Sequence, residues 1–142
     1  MLNVSEVNEI SVEDLEAACD YYDKLVGGRP MKILFVDDTQ SIRDTMKLAM
    51  RSINADLTIC ECPHEAVRNF YENQYDLIIS DYQMPGACKH YFETICSKQT
   101  PVVIWTGHCS PNVPEKAKVV FKTISPLEFI EQIASGRFTK EN

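Results

Sequence analysis

The sequence predicts an α/β fold built on a doubly wound parallel sheet. Three observations lead there: five short apolar runs, amphipathic or proline-initiated stretches between them, and polar residues gathered where the runs end. Alternation of this kind favours an open parallel sheet with helices on both faces. A chain of 142 residues suits one such domain with a short appendage.

The elements follow in chain order. Residues 1–10 are polar. Ser11-Val12-Glu13-Asp14 reads as a capped helix start with an acidic first turn. Val12, Leu15, Ala18, Tyr22 and Leu25 then recur at helical spacing until Gly27-Gly28-Arg29-Pro30 ends the pattern. Residues 1–30 therefore form an N-terminal extension with one helix and a Gly-Gly linker, and residues 31–142 the main domain. The helix stripe must bury on this domain or on a partner, including a second copy of the chain.

Lys32–Val36 is an apolar run ending in Asp37-Asp38, the pattern of a buried parallel strand. Ile42, Met46, Ala49 and Met50 mark a helix over Ser41–Ile53. Leu57–Cys60 is a second strand, and Pro63 opens a second helix running to about Asn73. Asp76–Ser80 is a third strand that delivers Asp81. Tyr91–Ser97 makes a short third helix, and Pro101–Trp105 a fourth strand with Trp105 in the core, followed by Thr106-Gly107. Val119–Phe121 is a fifth strand, followed by Lys122. Pro126–Ala134 closes the domain as a helix, with Gly136 beyond its end.

Composition narrows the function. A formal net charge of −7 repels phosphate backbones, so nucleic-acid binding is not expected. No run approaches the roughly 20 apolar residues of a spanning helix. Met1-Leu2-Asn3-Val4-Ser5-Glu6 has no basic stretch before an apolar one, so the expectation is a cytoplasmic chain without membrane contact. Six cysteines occur. Cys60 and Cys62, two apart in an apparent strand, give with His64 a C-x-C-x-H pattern resembling half a metal site. No second cluster follows in sequence, because Cys88, His90, Cys96, His108 and Cys109 are scattered. The plain reading is reduced, mostly buried thiols.

In an open parallel sheet, ligands bind beyond the carboxyl ends of the strands. Asp37-Asp38, Asp81, Thr106 and Lys122 all fall there, while strand two adds nothing. Carboxylates so assembled repel one another, and Mg²⁺ relieves this by taking a few carboxylate oxygens alongside water and a phosphate. A lysine pairs with a carboxylate or a phosphoryl oxygen, and a threonine hydroxyl donates to one. These are the parts of phosphoryl transfer, in which a carboxylate can be the nucleophile.

Val36-Asp37-Asp38, Asp81-Tyr82-Gln83-Met84-Pro85-Gly86, Thr106-Gly107 and Lys122, each at a strand end, resemble the receiver domains of two-component response regulators over roughly residues 31–136. The resemblance implies a flavodoxin-like sheet of order 2-1-3-4-5 and a stand-alone, chemotaxis-regulator-like receiver. By resemblance, Asp81 is the phospho-acceptor, served by Thr106 and Lys122. Mg²⁺ is held by Asp38, Asp37 (mainly through water), Asp81 and the Gln83 carbonyl. The implied partners are a histidine kinase or histidine phosphotransfer protein and a downstream protein target. The chain is then a signalling domain and not an enzyme, beyond slow autodephosphorylation.

Three departures from the family stand out. The segment from Pro85 to Thr106 is short and lacks Asp-Gly after Met-Pro, which implies a shortened third helix. The segment from Thr106 to Lys122 is shorter still and holds Pro111 and Pro114, which oppose a regular fourth helix. The position three before the lysine, commonly an aromatic switch, is Val119, and Thr123 replaces the usual proline. Phe121 alternates to the face opposite Lys122. Gln83 and His108, each two residues past a site residue, are candidates for tuning water access. An alternative is therefore a receiver fold that binds proteins without phosphorylation. A phosphatase of haloacid-dehalogenase type ranks below both, since its Asp-x-Asp nucleophile motif is missing from strand one.

Overall fold

Strands and amphipathic helices alternate as the sequence requires. The computed structural model describes residues 29–138 other than 109, 123 and 124, so the expected helix over residues 12–25 and its possible dimer contact lie outside the described residues. The strands are β1 (Met31–Val36), β2 (Ala55–Cys60), β3 (Leu77–Ser80), β4 (Val102–Thr106) and β5 (Lys118–Phe121). The helices are α1 (Gln40–Ala49), α2 (Pro63–Glu72), α3 (Lys89–Ile95) and α4 (Pro126–Ala134), with one 3₁₀ turn at Met50–Ser52. All strands are parallel, in the order β2-β1-β3-β4-β5. Among the described residues no helix is long and apolar enough to cross a membrane.

Strand periodicity builds two cores, one on each face of the sheet. Ile33, Phe35, Ile79, Val103 and Trp105 face one way, against Met46 of α1 and Phe129, Ile130 and Ile133 of α4. Leu34, Val36, Ile78 and Ile104 face the other, against Ala66 and Phe70 of α2 and Tyr91, Phe92 and Ile95 of α3. Burial on both faces explains why β1, β3 and β4 read as unbroken apolar runs, while edge strands β2 and β5 stay partly exposed.

Helix ends follow local chemistry. Pro63 and Pro126 occupy first-turn positions of α2 and α4, where a missing N–H costs nothing. The Ser125 hydroxyl oxygen accepts the Glu128 N–H at 3.1 Å and caps α4. At its other end Gly136, with φ +80°, lets the Gly136 and Arg137 N–H groups reach back to the Ile133 and Gln132 carbonyls.

The structure shifts some limits. β2 begins at Ala55, Thr106 belongs to β4, and the end of α1 tightens into the 3₁₀ turn. α3 has seven residues. The shortening goes furthest between β4 and β5, where the described residues (107, 108 and 110–117) are irregular chain, bends and one turn, with no helix. Pro111 and Pro114 deny helical hydrogen bonds there.

Phe129 links the core to the functional edge. It is fully buried, stacks on Trp105 with centroids 5.1 Å apart, and meets Phe138 edge-on. Trp105 in turn lies under the Lys122 ammonium, 5.5 Å from ring centroid to Nζ. Phe129→Ala should cost about 3–5 kcal/mol of folding stability, read from urea denaturation. A cost below about 1 kcal/mol would show that α4 is not part of the cooperative core.

Candidate functional site

Backbone pairing places the polar groups. Each of Asp37, Asp81 and Lys122 is the first residue past its strand, and the parallel ladder extends to it. The Asp37 N–H donates to the Cys60 carbonyl at 3.1 Å, the Asp81 N–H to Val36 at 2.8 Å, and the Lys122 N–H to Thr106 at 2.8 Å. The side chains therefore start from fixed points at one edge of the sheet.

Lys122 bridges two carboxylates. Its Nζ lies 3.2 Å from Asp37 Oδ2 and 3.2 Å from Asp81 Oδ1. Asp37 Oδ1 also accepts the Thr39 N–H at 2.9 Å, which fixes the turn into α1. Asp81 Oδ1 accepts the Tyr82 N–H at 2.8 Å. Asp37 and Asp81 are buried, whereas Asp38 is exposed beside them. One oxygen from each of the three carboxylates lies within 4.8 Å of the others.

Three acidic groups against one ammonium leave the cluster short of positive charge. Burial raises the pKa of Asp81 above its ordinary value, and the Asp37 charge raises it further. Lys122 and the Tyr82 N–H oppose that rise without cancelling it. Hard oxygen ligands, clustered and under-neutralised, suit Mg²⁺ in kind and number.

The remaining expected residues take different places. Thr106 is buried at the end of β4, and its hydroxyl oxygen accepts the His108 N–H at 2.9 Å. Gln83 is exposed in the β3–α3 loop, two residues past Asp81. His108 is half-buried, and its Nδ1 accepts the Ser110 N–H at 3.1 Å. Val119 packs into the core shared with α2 and α3, while Phe121 is exposed.

Two supporting residues escaped the sequence reading. Arg43, largely buried, donates to the Asp37 carbonyl at 2.9 Å and to Gln40 Oε1 at 2.7 Å, and pairs with Glu61 at 3.5 Å. It holds the backbone between the two aspartates. Its spacing from Met46 and Met50, three and seven residues on along one helical face, was the available signal. Tyr82 stacks on Phe92 and leans on His108, with centroids 5.4 and 5.2 Å away. Its hydroxyl oxygen accepts the Asn112 N–H at 3.0 Å. Tyr82 thus ties the β3–α3 loop to residues 107–114, a contact that no sequence spacing announces.

Residues 33–133 match the response regulator receiver domain family. The chain is 31% identical over 79 residues to the regulatory protein VanRB of Enterococcus faecalis, covering 54% of this chain and 36% of that one. It is 28% identical over 91 residues to the signal transduction histidine-protein kinase BarA of Escherichia coli, covering 61% and 10%. The chain therefore spans about a third or less of these relatives. Chemotaxis protein CheY4 of Vibrio cholerae superposes with a TM-score of 0.65 at 23% identity, over 77% of this chain and 98% of that one.

The raised pKa of Asp81 fixes the sign of a stability effect. The folded state holds that proton more tightly than the unfolded state does. The group's contribution is thus most favourable below the unfolded pKa and is lost as pH rises through the folded one. Asp81→Asn should melt higher than wild type at neutral pH without metal, with the gap closing as pH falls through the carboxylate range. Thermal melts at several pH values test this, and a gap that widens on acidification would contradict it.

Proposed function

Because the chain belongs to the response regulator receiver family, we propose that it accepts a phosphoryl group on Asp81, with Mg²⁺, from a histidine kinase or histidine phosphotransfer protein. The observation that carries this reading is the Asp37–Asp38–Asp81 cluster bridged by Lys122 at the sheet edge. In the transfer, an Asp81 carboxylate oxygen attacks phosphorus and the phosphorus–nitrogen bond to the donor imidazole breaks. The imidazole keeps that electron pair and takes up a proton, leaving an acyl phosphate on Asp81.

The chain's own groups prepare each part of that step. The Tyr82 N–H and Lys122 hold Asp81 Oδ1, which leaves Oδ2 for attack. Lys122 is a mobile point charge that can follow the charge from carboxylate to phosphoryl oxygen. The Thr106 oxygen accepts from His108, so its hydroxyl proton remains to donate to the phosphoryl group. Asp37, Asp38, Asp81 and the Gln83 carbonyl would hold the Mg²⁺, which neutralises phosphoryl charge when bound.

The response regulator receiver is a signalling domain and not an enzyme class. We assign this one a cytoplasmic, stand-alone role, with output by contact with a downstream protein. The absence of a helix among the described residues between β4 and β5, and Val119 at the usual aromatic position, favour a second reading. In that reading the domain binds partners without phosphorylation.

Intact-mass spectrometry after incubation with Mg²⁺ and acetyl phosphate decides between them. Wild type should gain the mass of one phosphoryl group, and Asp81→Ala or omission of Mg²⁺ should abolish the gain. Mg²⁺ binding can be followed in parallel by fluorescence, since Trp105 is the only tryptophan and lies under Lys122. No mass gain together with no Mg²⁺ response would leave the phosphorylation-independent binder as the surviving reading.

A further inference from the structure

Across the face of the sheet that carries α2 and α3, the fold assembles a second set of potential ligands. Cys62 is the residue before α2, and His64 lies in its first turn. Cys88 is the residue before α3, and His90 lies in its first turn. Two Cys-x-His units separated by 26 positions in sequence thus occupy equivalent places on neighbouring helices. All four residues line one open cavity of about 400 Å³, together with Pro63 and Tyr91.

The two units share the lining of this cavity. Gly86, at φ +86°, turns the β3–α3 loop against α2, and a Cβ added there would meet the Pro63 ring at 3.7 Å. The loop residue two before Cys88 thus passes beside the ring of the residue after Cys62. Neither cysteine makes a side-chain cap hydrogen bond, although a hydroxyl or carboxylate at these positions would do so. Helix capping does not account for a thiol at both places.

The neighbouring thiols behave differently. Cys60 is buried at the end of β2, and burial, with Glu65 next, pushes its pKa up to about 12. It remains a protonated packing residue. The strand stops at Cys60, so the alternation that seemed to place Cys60 and Cys62 on one face does not continue. Cys62 is half-buried, and Cys88, His64 and His90 are exposed and open to rotation.

We propose that Cys62, His64, Cys88 and His90 form a zinc site that clamps the start of α2 to the β3–α3 loop. Two thiolates and two imidazoles are the donor set of a closed tetrahedral zinc centre. On binding, each thiol releases its proton to solvent and each imidazole binds as the neutral base, so the site ends with no net charge. Among the described residues only the three aspartates have ligand atoms already within 4.8 Å of one another. Zinc binding at this site thus requires the four side chains to rotate inward about the cavity. This site is independent of the aspartate cluster, whose oxygen ligands favour a harder ion.

The test uses the full chain, reduced and titrated with zinc against a chromophoric chelator, with metal counted by native mass spectrometry. Asp37→Asn/Asp38→Asn/Asp81→Asn removes the acidic cluster and should still take up one zinc per chain. Cys62→Ser and Cys88→Ser should each abolish uptake, and His64→Ala and His90→Ala should each weaken it about tenfold or more. Cys96→Ser should leave uptake unchanged. Cobalt should give a thiolate charge-transfer band that disappears in Cys88→Ser. Far-UV circular dichroism confirms that each variant is folded. No zinc uptake by folded, reduced wild type, or uptake indifferent to both cysteine substitutions, overturns the proposal.

Discussion

One ammonium group holds the functional edge together. Asp37 and Asp81 are buried carboxylates on adjacent strands, and Lys122 arrives from the far edge strand to lie 3.2 Å from each. Each carboxylate also accepts one backbone N–H. Without these partners, two buried negative charges side by side would oppose closure of the sheet. Lys122 itself rests on Trp105, which packs on Phe129 of α4. The electrostatic arrangement at the edge thus depends on the aromatic packing beneath it.

This dependence runs in both directions. Trp105 Nε1 is a buried donor with no hydrogen-bond partner in the described structure, a burden of about 1–3 kcal/mol. The indole is retained where it supports the lysine and fills the core between β4 and α4. The raised pKa of Asp81 is a second burden of the same kind. Both lie at the carboxyl ends of central strands, where ligands of parallel sheets bind, and both are borne by two well-packed cores.

Most of the fold was legible because its signals are local. Apolar runs at Lys32–Val36, Asp76–Ser80 and Pro101–Trp105 matched β1, β3 and β4 to within a residue, since strands buried on both faces allow few polar residues. Proline and glycine marked α2 and α4 correctly. The edge strand β2 was less visible: its exposed Asp56 broke the apolar run, and the pairing of Met31 with Ala55 that extends it is a tertiary matter. For the same reason Asp37, Asp38, Asp81 and Lys122 could be brought together on paper, each being a strand-end residue. Arg43 and Tyr82 could not. Their roles depend on contacts with a carbonyl and with a loop 30 positions away. Nor could the meeting of Cys62-x-His64 with Cys88-x-His90, which follows only from the packing of α2 beside α3.

The loop between β4 and β5 is where this chain differs most from a regular alternation, and its fastening shows how it is controlled. Among the described residues between 107 and 114 there is no helix, and Val113 is the apolar side chain that reaches the core. Polar and aromatic contacts add to this: the His108 N–H on Thr106, the His108 ring on Tyr82, and the Asn112 N–H on the Tyr82 hydroxyl. Every one of these contacts leads to a residue at or next to a strand end of the acidic edge. A helix in this place would draw stability from burial and respond weakly to a change of charge nearby. A loop pinned by a few hydrogen bonds to Thr106 and Tyr82 responds to whatever alters those two residues. The proline-containing segment thus places backbone outside any helix or strand directly on Thr106 and Tyr82, the residues beside Asp81.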